Sequence, residues 1–253
     1  MGKLFVRCCP LVLLALMAVA EAQSLRLVGD RWPPYVDTDL PGDGLATTIV
    51  RAALSRAGYS TEFFQLPWAR AVQGVAEGRY DVLVTVWYNE ERNRFGQHSA
   101  GYLTNRILFW RKQGSAIEFN RDLSLLKDYP IAVSRGYAYS PAFVATRDLL
   151  KVPVRNFAMA AEMLAVGRVA LALEDERVGS YVLGQYPQPM QAQLEPLKTP
   201  LAEPDLRILV SLKTPDHDAI VRGFDRAIAS MKADGTLQAL LGQLPADPAS
   251  SRP

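Results

Sequence analysis

The sequence predicts an α/β fold made of two similar units. From residue 24 to residue 86, short apolar segments alternate with segments of helical period, in the order β-α-β-α-β. The same order begins again near residue 123 and ends near residue 175. Strands that alternate with helices in this way form parallel sheets connected by crossover helices. We therefore expect two α/β lobes with mainly parallel sheets.

The first unit is predicted to contain three strands and two helices. Gly58 ends the first helix, because glycine readily adopts the left-handed backbone conformation found there. Pro67 begins the second helix, because proline suits the first helical position. The predicted strands are residues 24–29, 60–65 and 81–86, and the predicted helices are residues 43–57 and 67–78.

The second unit repeats this order of elements without repeating the sequence. Ser140 is a suitable helix cap and Pro141 a suitable first helical residue. Residues 185–203 are rich in Pro and Gln and are interpreted as an irregular connection. The remaining predicted strands are residues 103–111, 130–134, 152–157, 169–173 and 206–212, and the remaining helices are residues 140–150, 158–166, 178–183, 216–233 and 236–241.

Residues 1–22 have the features of a cleaved signal peptide. Lys3 and Arg7 precede an apolar run, residues 11–19, and residues 20–22 form an A-x-A cleavage signal. The run is too short to span a bilayer as a permanent helix. We expect an exported mature protein that begins at Gln23 and does not span the membrane; an uncleaved anchor is the alternative.

The composition argues against several classes of function. Both cysteines, Cys8 and Cys9, precede the apolar run and would leave with the signal peptide. The formal net charge of +2 argues against a nucleic-acid surface, which needs a clustered excess of Lys and Arg. His98 and His217 are far apart in the sequence, and a metal site needs three or four converging ligands. We expect no metal, no cofactor and no nucleic-acid partner.

Residues 80–92, YDVLVTVWYNEER, combine a buried strand with a polar exit. Open parallel sheets bind ligands just beyond the carboxyl ends of their strands. Trp87, Tyr88 and Arg92 occupy this position, and the arginine side chain is a rigid fork that matches two carboxylate oxygens. The stretch predicts a site for a small molecule that bears a carboxylate. An ordinary strand exit with solvated charges is the alternative.

Three aromatic residues and an acidic cluster are further candidates. Trp32 and Tyr35 belong to a rigid loop after the first strand, and Trp68 lies in the first turn of the second helix. Simple packing against neighbouring elements is the alternative for the aromatic residues. The acidic residues at 174–176 follow the third strand of the second unit, where they would also suit the cap of the next helix.

The chain contains several short segments whose order and spacing are informative. They are W-P-P-Y at 32–35, G-R-Y-D at 78–81, E-R at 91–92, S-x-x-Y at 99–102, G-R-V-A-L-A-L-E-D at 167–175, and F-D-R-A-I followed by K-A-D-G-T-L between 224 and 237. In their order and spacing the chain resembles the periplasmic solute-binding proteins of the amino-acid type, solute-binding family 3. The resemblance covers nearly all of the expected mature chain.

The resemblance implies two lobes joined by two crossing hinge strands, near residues 107–112 and 206–213. Lobe 1 would comprise residues 23–109 and 207–253, and lobe 2 residues 110–206. The protein would be a periplasmic monomer and not an enzyme. It would bind a small polar solute, an amino acid or a related amine or carboxylate, by hinge closure and deliver it to an ABC importer.

The resemblance also implies roles for individual residues. Arg92 would bind a ligand carboxylate, Asp175 would bind a ligand amino group, and the turn at residues 135–137 would contribute backbone N–H groups. Aromatic side chains would stack on the body of the ligand. The expected ligand-binding residues are Trp32, Tyr35, Trp68, Thr85, Trp87, Arg92, Tyr137 and Asp175.

Two departures from the family pattern leave alternatives open. Trp87 and Tyr88 stand where small hydroxyl residues are typical, and Tyr137 replaces the usual Thr. One alternative is an enzyme that resembles cyclohexadienyl dehydratase, with a general acid taken from Glu90, Glu91, Glu174 or Asp175. The other is a ligand sensor that partners a membrane receptor.

Overall fold

The computed structural model describes residues 24–242. The predicted signal peptide and the tail from residue 245 lie outside this range. Within the described residues, five strands and two α-helices come first and build most of the first unit. They are β1 (Ser24–Gly29), α1 (Leu45–Arg56), β2 (Ser60–Gln65), α2 (Trp68–Ala76), β3 (Val82–Trp87), β4 (Gly96–His98) and β5 (Leu103–Thr104).

The second unit follows, and the chain then returns to the first. The second unit contains β6 (Ile107–Lys112), β7 (Ile131–Ser134), α3 (Pro141–Ala145), β8 (Lys151–Val154), α4 (Phe157–Ala165), β9 (Leu171–Asp175), α5 (Glu176–Gly184), α6 (Gln188–Gln191) and β10 (Leu194–Pro196). The returning elements are β11 (Asp205–Ser211), α7 (His217–Ala233) and α8 (Thr236–Leu241).

Each unit is built on one mixed sheet, which confirms the predicted α/β fold class. In the first sheet, β1 pairs in parallel with β2 and β3, while β11 runs antiparallel to β3, β4 and β5. In the second, β7 pairs in parallel with β8 and β9, while β6 runs antiparallel to β9 and β10. In both sheets an antiparallel strand therefore lies directly beside the third strand of the unit.

The chain passes between the two sheets at residues 105–106 and again at residues 197–204. The strands near 107–112 and 206–213, which were predicted to cross, directly follow these passages, and each pairs within a single sheet. The two passages are hydrogen bonded to each other, because the Asn105 N–H donates to the Pro204 carbonyl at 2.9 Å. The predicted lobe boundaries lie close to these passages and stay a prediction.

Helices cover both faces of the first sheet. On one face α1 and α7 bury Ile49, Leu54 and Phe224 against the strands. On the other face α2 packs Ala71 and Val75 against residues of β1, β3 and β11. All six residues of β3 are buried, and each fully buried Val or Leu contributes roughly 1.5–3 kcal/mol. This burial holds the carboxyl end of β3 in a fixed position.

Some short elements were not predicted. β4 lies in a stretch that was expected to be a polar loop, and α6 and β10 lie in the stretch expected to be irregular. The predicted strand 103–111 is divided into β5 and β6 by the first passage between the sheets. Within residues 24–242, no helix combines the length and apolar character that a membrane span requires.

Candidate functional site

The candidate site is a small cavity between the two units, at the carboxyl end of β3. Its volume is about 40 Å³. Most of its wall belongs to the first unit, and the turn that follows β7 closes it from the second unit. Six of the predicted site residues line it: Trp32, Trp68, Thr85, Trp87, Arg92 and Tyr137.

Arg92 is a buried cation at the edge of this cavity. A 3-10 turn, Glu90–Arg94, follows β3, and the Asn89 side chain caps it by accepting the Glu91 N–H at 2.8 Å. This turn directs Arg92 back over the end of β3, where the residue is only 7% exposed. Its guanidinium donates to the Trp87 carbonyl at 3.1 Å.

The second unit and an aromatic ring complete the surroundings of Arg92. Nη2 donates to the Gly136 carbonyl at 3.5 Å, and the guanidinium lies 5.1 Å from the ring centroid of Trp68. Burial lowers the pKa of Arg92, and Glu91 opposes that shift. In the part of the chain that the structure describes, no carboxylate forms an ion pair with it. An arginine has five N–H donors, so several remain for an anion in the cavity.

Three further aromatic rings line the cavity. Trp32 and Trp87 have ring centroids 5.9 Å apart and planes at 77°, and Tyr137 lies 5.4 Å from Trp87 at 87°. Trp32 and Tyr137 are 6.4 Å apart at 86°. Tyr137 is positioned by Gly136, whose φ of +77° is left-handed and therefore favours glycine. The three rings thus stand nearly perpendicular to one another.

Asp175 does not line the cavity. It is 1% exposed and caps α5, with Oδ1 accepting the N–H groups of Arg177 at 3.0 Å and Val178 at 3.1 Å. Oδ2 accepts from Asn105 Nδ2 at 3.0 Å and from the Arg106 N–H at 3.3 Å. Burial raises the pKa of Asp175 to about 6, although these donors act in the opposite direction. Its carboxylate is committed to the protein itself.

Asn105 connects Asp175 to the cavity wall. Its Oδ1 accepts the indole N–H of Trp87 at 2.7 Å, while its Nδ2 donates to Asp175. Asn105 is fully buried and lies in the first passage between the sheets. The orientation of the Trp87 ring is therefore tied to the segment that joins the two units.

Tyr35 and Glu174 form a layer behind Trp32. Tyr35, another predicted site residue, is buried and stacks on Trp32 with ring centroids 4.8 Å apart, without lining the cavity. Glu174 Oε1 accepts the indole N–H of Trp32 at 3.4 Å and the Asp175 N–H at 2.9 Å. Burial, together with the neighbouring Asp175, raises the pKa of Glu174 to about 8. Glu174 is thus a neutral acid at neutral pH.

Asp30 lines the cavity although the sequence prediction did not include it. It directly follows β1, and its carboxylate accepts the Arg31 N–H at 2.8 Å. Burial raises its pKa, while the backbone N–H groups of Arg31 and Trp68 lower it. Its position just past the carboxyl end of a parallel strand was the signal that could have identified it.

A cavity between two α/β units that are joined by two crossing segments defines the class of two-lobe solute-binding proteins. The chain belongs to the bacterial extracellular solute-binding proteins, family 3, because residues 27–243 match the model of that family. This confirms the resemblance found in the sequence. No curated protein matches the chain at a significant level.

Solved structures of similar fold include proteins of several kinds. A histidine kinase sensor domain that resembles periplasmic binding proteins has a TM-score of 0.74 at 21% identity, covering 89% of this chain and 97% of that one. An ancestral arginine-binding protein bound to arginine has a TM-score of 0.72 at 22% identity, covering 87% and 97%. The substrate binding protein of an amino acid ABC transporter has a TM-score of 0.70 at 17% identity, covering 86% and 97%. At these identities the likeness establishes the fold.

Proposed function

We propose that the protein binds a small solute bearing a carboxylate in the periplasm and delivers it to an ABC importer. The observation that carries this proposal is Arg92, a buried guanidinium at a cavity wall without a carboxylate partner among the described residues. A buried charge is costly unless it is paired. A carboxylate in the cavity would supply that pairing through the arginine fork.

The two units act as the two lobes of this binding site. Trp68 and Arg92 belong to the first unit, while Tyr137 and Ala138 reach the same cavity from the second. Bringing the units together removes water from the solute, which strengthens the pairing between its carboxylate and Arg92. We therefore assign solute capture to a hinge motion about the two passages between the sheets.

The solute also carries a cationic end. Asp30 lines the same cavity as Arg92 and gives it a negative group. One positive and one negative group match a zwitterion, an amino acid or a related amine with a carboxylate. Asp30 takes the role that the sequence prediction assigned to Asp175, because Asp175 is occupied by the cap of α5.

Glu174 favours a second candidate, a periplasmic enzyme with a general acid. Its raised pKa of about 8 keeps it protonated at neutral pH, as such an acid requires. Its carboxyl group, however, accepts the indole N–H of Trp32 from behind that ring and does not itself line the cavity. The placement of Glu174 therefore supports binding over catalysis, and recovery of unchanged solute after incubation separates the two functions.

The test is a binding screen of small carboxylates on the mature chain, read by thermal shift and confirmed by calorimetry. A solute at 100 times its Kd adds about 2.7 kcal/mol to the free energy of unfolding. We expect Arg92→Ala to weaken binding of the best solute by about 2–5 kcal/mol, because the substitution leaves the solute carboxylate buried and unpaired. Arg92→Lys keeps the charge but loses the fork, so its effect should be intermediate.

Arg94→Ala is the matched control. Arg94 lies in the same 3-10 turn but is exposed, and its Nε donates only to the Glu91 carbonyl. Its replacement should change the binding free energy by about 0–1 kcal/mol. Equal affinities of the Arg92→Ala protein and the unmodified protein would reject the proposed site.

A further inference from the structure

The aromatic corner of the cavity is poorly suited to a primary ammonium group. Trp32, Trp87 and Tyr137 form this corner. A buried –NH₃⁺ has three N–H donors, and each one left without an acceptor costs free energy. The indole nitrogens are donors only and are already bonded to Glu174 and Asn105. The corner thus consists mainly of ring carbon, and the Tyr137 hydroxyl is the one side-chain acceptor that its three rings carry.

The acidic groups near this corner already accept hydrogen bonds from the protein. Asp175 receives four donors from the protein, and Oε1 of Glu174 receives two. Glu174 is also neutral at neutral pH. Asp30 is the one carboxylate on the cavity wall, and it already accepts backbone N–H groups. A primary ammonium would leave donors unsatisfied here.

The electrostatic field at the corner nevertheless favours a cation. Burial raises the pKa of Tyr137, and the negative charges of Asp30 and Asp175 add to that shift. A cation that needs no hydrogen-bond acceptor gains from this field and from the electron-rich faces of Trp and Tyr rings. A quaternary ammonium has both properties, because methyl groups replace all of its N–H donors.

We propose that the solute is an N-trimethylated amino acid whose carboxylate pairs with Arg92 and whose quaternary ammonium lies in the corner formed by Trp32, Trp87 and Tyr137. This inference rests on the proposed function, since Arg92 must hold the carboxylate. The simplest member of this class is N,N,N-trimethylglycine, which serves as the probe.

The test is a series of four compounds, measured by calorimetry on the unmodified mature chain. Glycine, N,N-dimethylglycine and N,N,N-trimethylglycine differ only in methylation. The fourth, 3,3-dimethylbutanoate, has the shape of trimethylglycine but a neutral carbon in place of nitrogen. We expect affinity to rise at least tenfold from glycine to trimethylglycine, and 3,3-dimethylbutanoate to bind at least tenfold more weakly than trimethylglycine.

Variants at position 137 test the ring itself. Tyr137→Phe keeps an aromatic face and should bind trimethylglycine within about threefold of the unmodified chain, whereas Tyr137→Leu should lose at least tenfold. Neither change should alter the affinity for 3,3-dimethylbutanoate by more than a few-fold. Tyr88→Leu is the matched control, because Tyr88 is 56% exposed and does not line the cavity.

The outcomes separate this inference from the function on which it rests. If glycine or another primary amino acid binds more tightly than trimethylglycine and its binding depends on Arg92, the proposed function stands and the inference fails. If 3,3-dimethylbutanoate binds as tightly as trimethylglycine, the ring faces recognise shape alone and the inference also fails. If no carboxylate binds, both fail.

Discussion

Burial has opposite consequences for Arg92 and Glu174. Burial lowers the pKa of Arg92, yet an arginine starts so high that it stays charged at any physiological pH. Burial raises the pKa of Glu174 to about 8, so this carboxyl is neutral at pH 7. The same desolvation therefore leaves a positive charge at one end of the site and removes a negative charge behind Trp32.

The raised pKa of Glu174 predicts a pH-dependent stability. The folded chain binds this proton more tightly than the unfolded chain, so stability falls as pH rises from about 4.5 to about 8. Asp175 acts in the same direction only up to about pH 6. Burial lowers the pKa of His98 from 6.5 to about 4, so the effect of His98 on stability has the opposite direction below pH 6.5. The interval from pH 6.5 to 8 therefore isolates Glu174.

We expect the free energy of unfolding to fall by up to about 2 kcal/mol between pH 6.5 and pH 8, since one proton corresponds to about 1.4 kcal/mol per pH unit. Glu174→Gln should remove most of this fall, because the amide does not titrate. Urea denaturation at three pH values measures it. Glu90→Gln, at an exposed position, should leave the fall unchanged. If the free energy of unfolding of the Glu174→Gln protein falls by the same amount between pH 6.5 and pH 8, the assignment to Glu174 is contradicted.

At the residue scale, the sequence pattern identified which positions bear charge but not what each charge does. Arg92 follows the third strand of its unit, and Asp175 is the last residue of the third strand of the other unit. Arg92 is carried back to the cavity by a 3-10 turn, whereas Asp175 is followed at once by α5 and becomes its cap. Asp30 was overlooked because the aromatic residues of the W-P-P-Y segment, and not the acid before them, were taken as the candidates in that loop. Only the fold shows that it shares a cavity with Arg92.

At the scale of elements, the turn after β7 decides how closely the two units approach. Gly136 has a φ of +77°, and a Cβ added to it would lie 3.2 Å from the ring of Trp68 in the other unit. Its carbonyl also accepts from Arg92. Gly114 has nearly the same φ, +75°, but nothing lies within 4 Å of an added Cβ. The two glycines share a backbone conformation and differ in what they face.

This pair gives a prediction with its own control. Gly136→Ala and Gly114→Ala should each lower the free energy of unfolding by about 1 kcal/mol, because alanine is strained at positive φ. Only Gly136→Ala should also weaken solute binding, since its methyl group presses on Trp68 when the units meet. Urea denaturation and calorimetry on both variants separate the two effects. A similar loss of affinity in both proteins would contradict a role for this turn in closure.

The elements that the sequence predicted are those whose own residues determine them. β1, β2 and α8 have the predicted bounds, because each combines a clear apolar pattern with a turn residue at its end. β4 and β10 contain three residues each and are stabilised by pairing with β11 and β6, which are distant in sequence. A three-residue strand has too few positions to show a period, so only the partner strand defines it.

At the scale of the whole molecule, the same aromatic residues form the cavity wall and the contact between the units. Trp87 of β3 contacts Tyr137 and Tyr139 of the second unit, with ring centroids 5.4 and 6.2 Å apart. Opening the units would expose these rings to water, so apolar burial favours the closed arrangement. A solute that contacts both units adds its own differential binding energy to this preference. Under the proposed function, solute binding and closure would therefore be one equilibrium.

This coupling predicts that saturating solute makes the mature chain more compact. Small-angle X-ray scattering measures the radius of gyration of the mature chain with and without the best solute from the carboxylate screen. Saturating solute should decrease it toward about 17 Å, the value expected for a compact chain of this length. Gly114→Ala should show the same decrease. Gly136→Ala should stay more extended at the same solute concentration, because its added methyl group opposes the approach of Trp68. A radius of gyration that does not change when solute saturates the unmodified chain would show that binding occurs without closure, and the cavity would then belong to a rigid receptor.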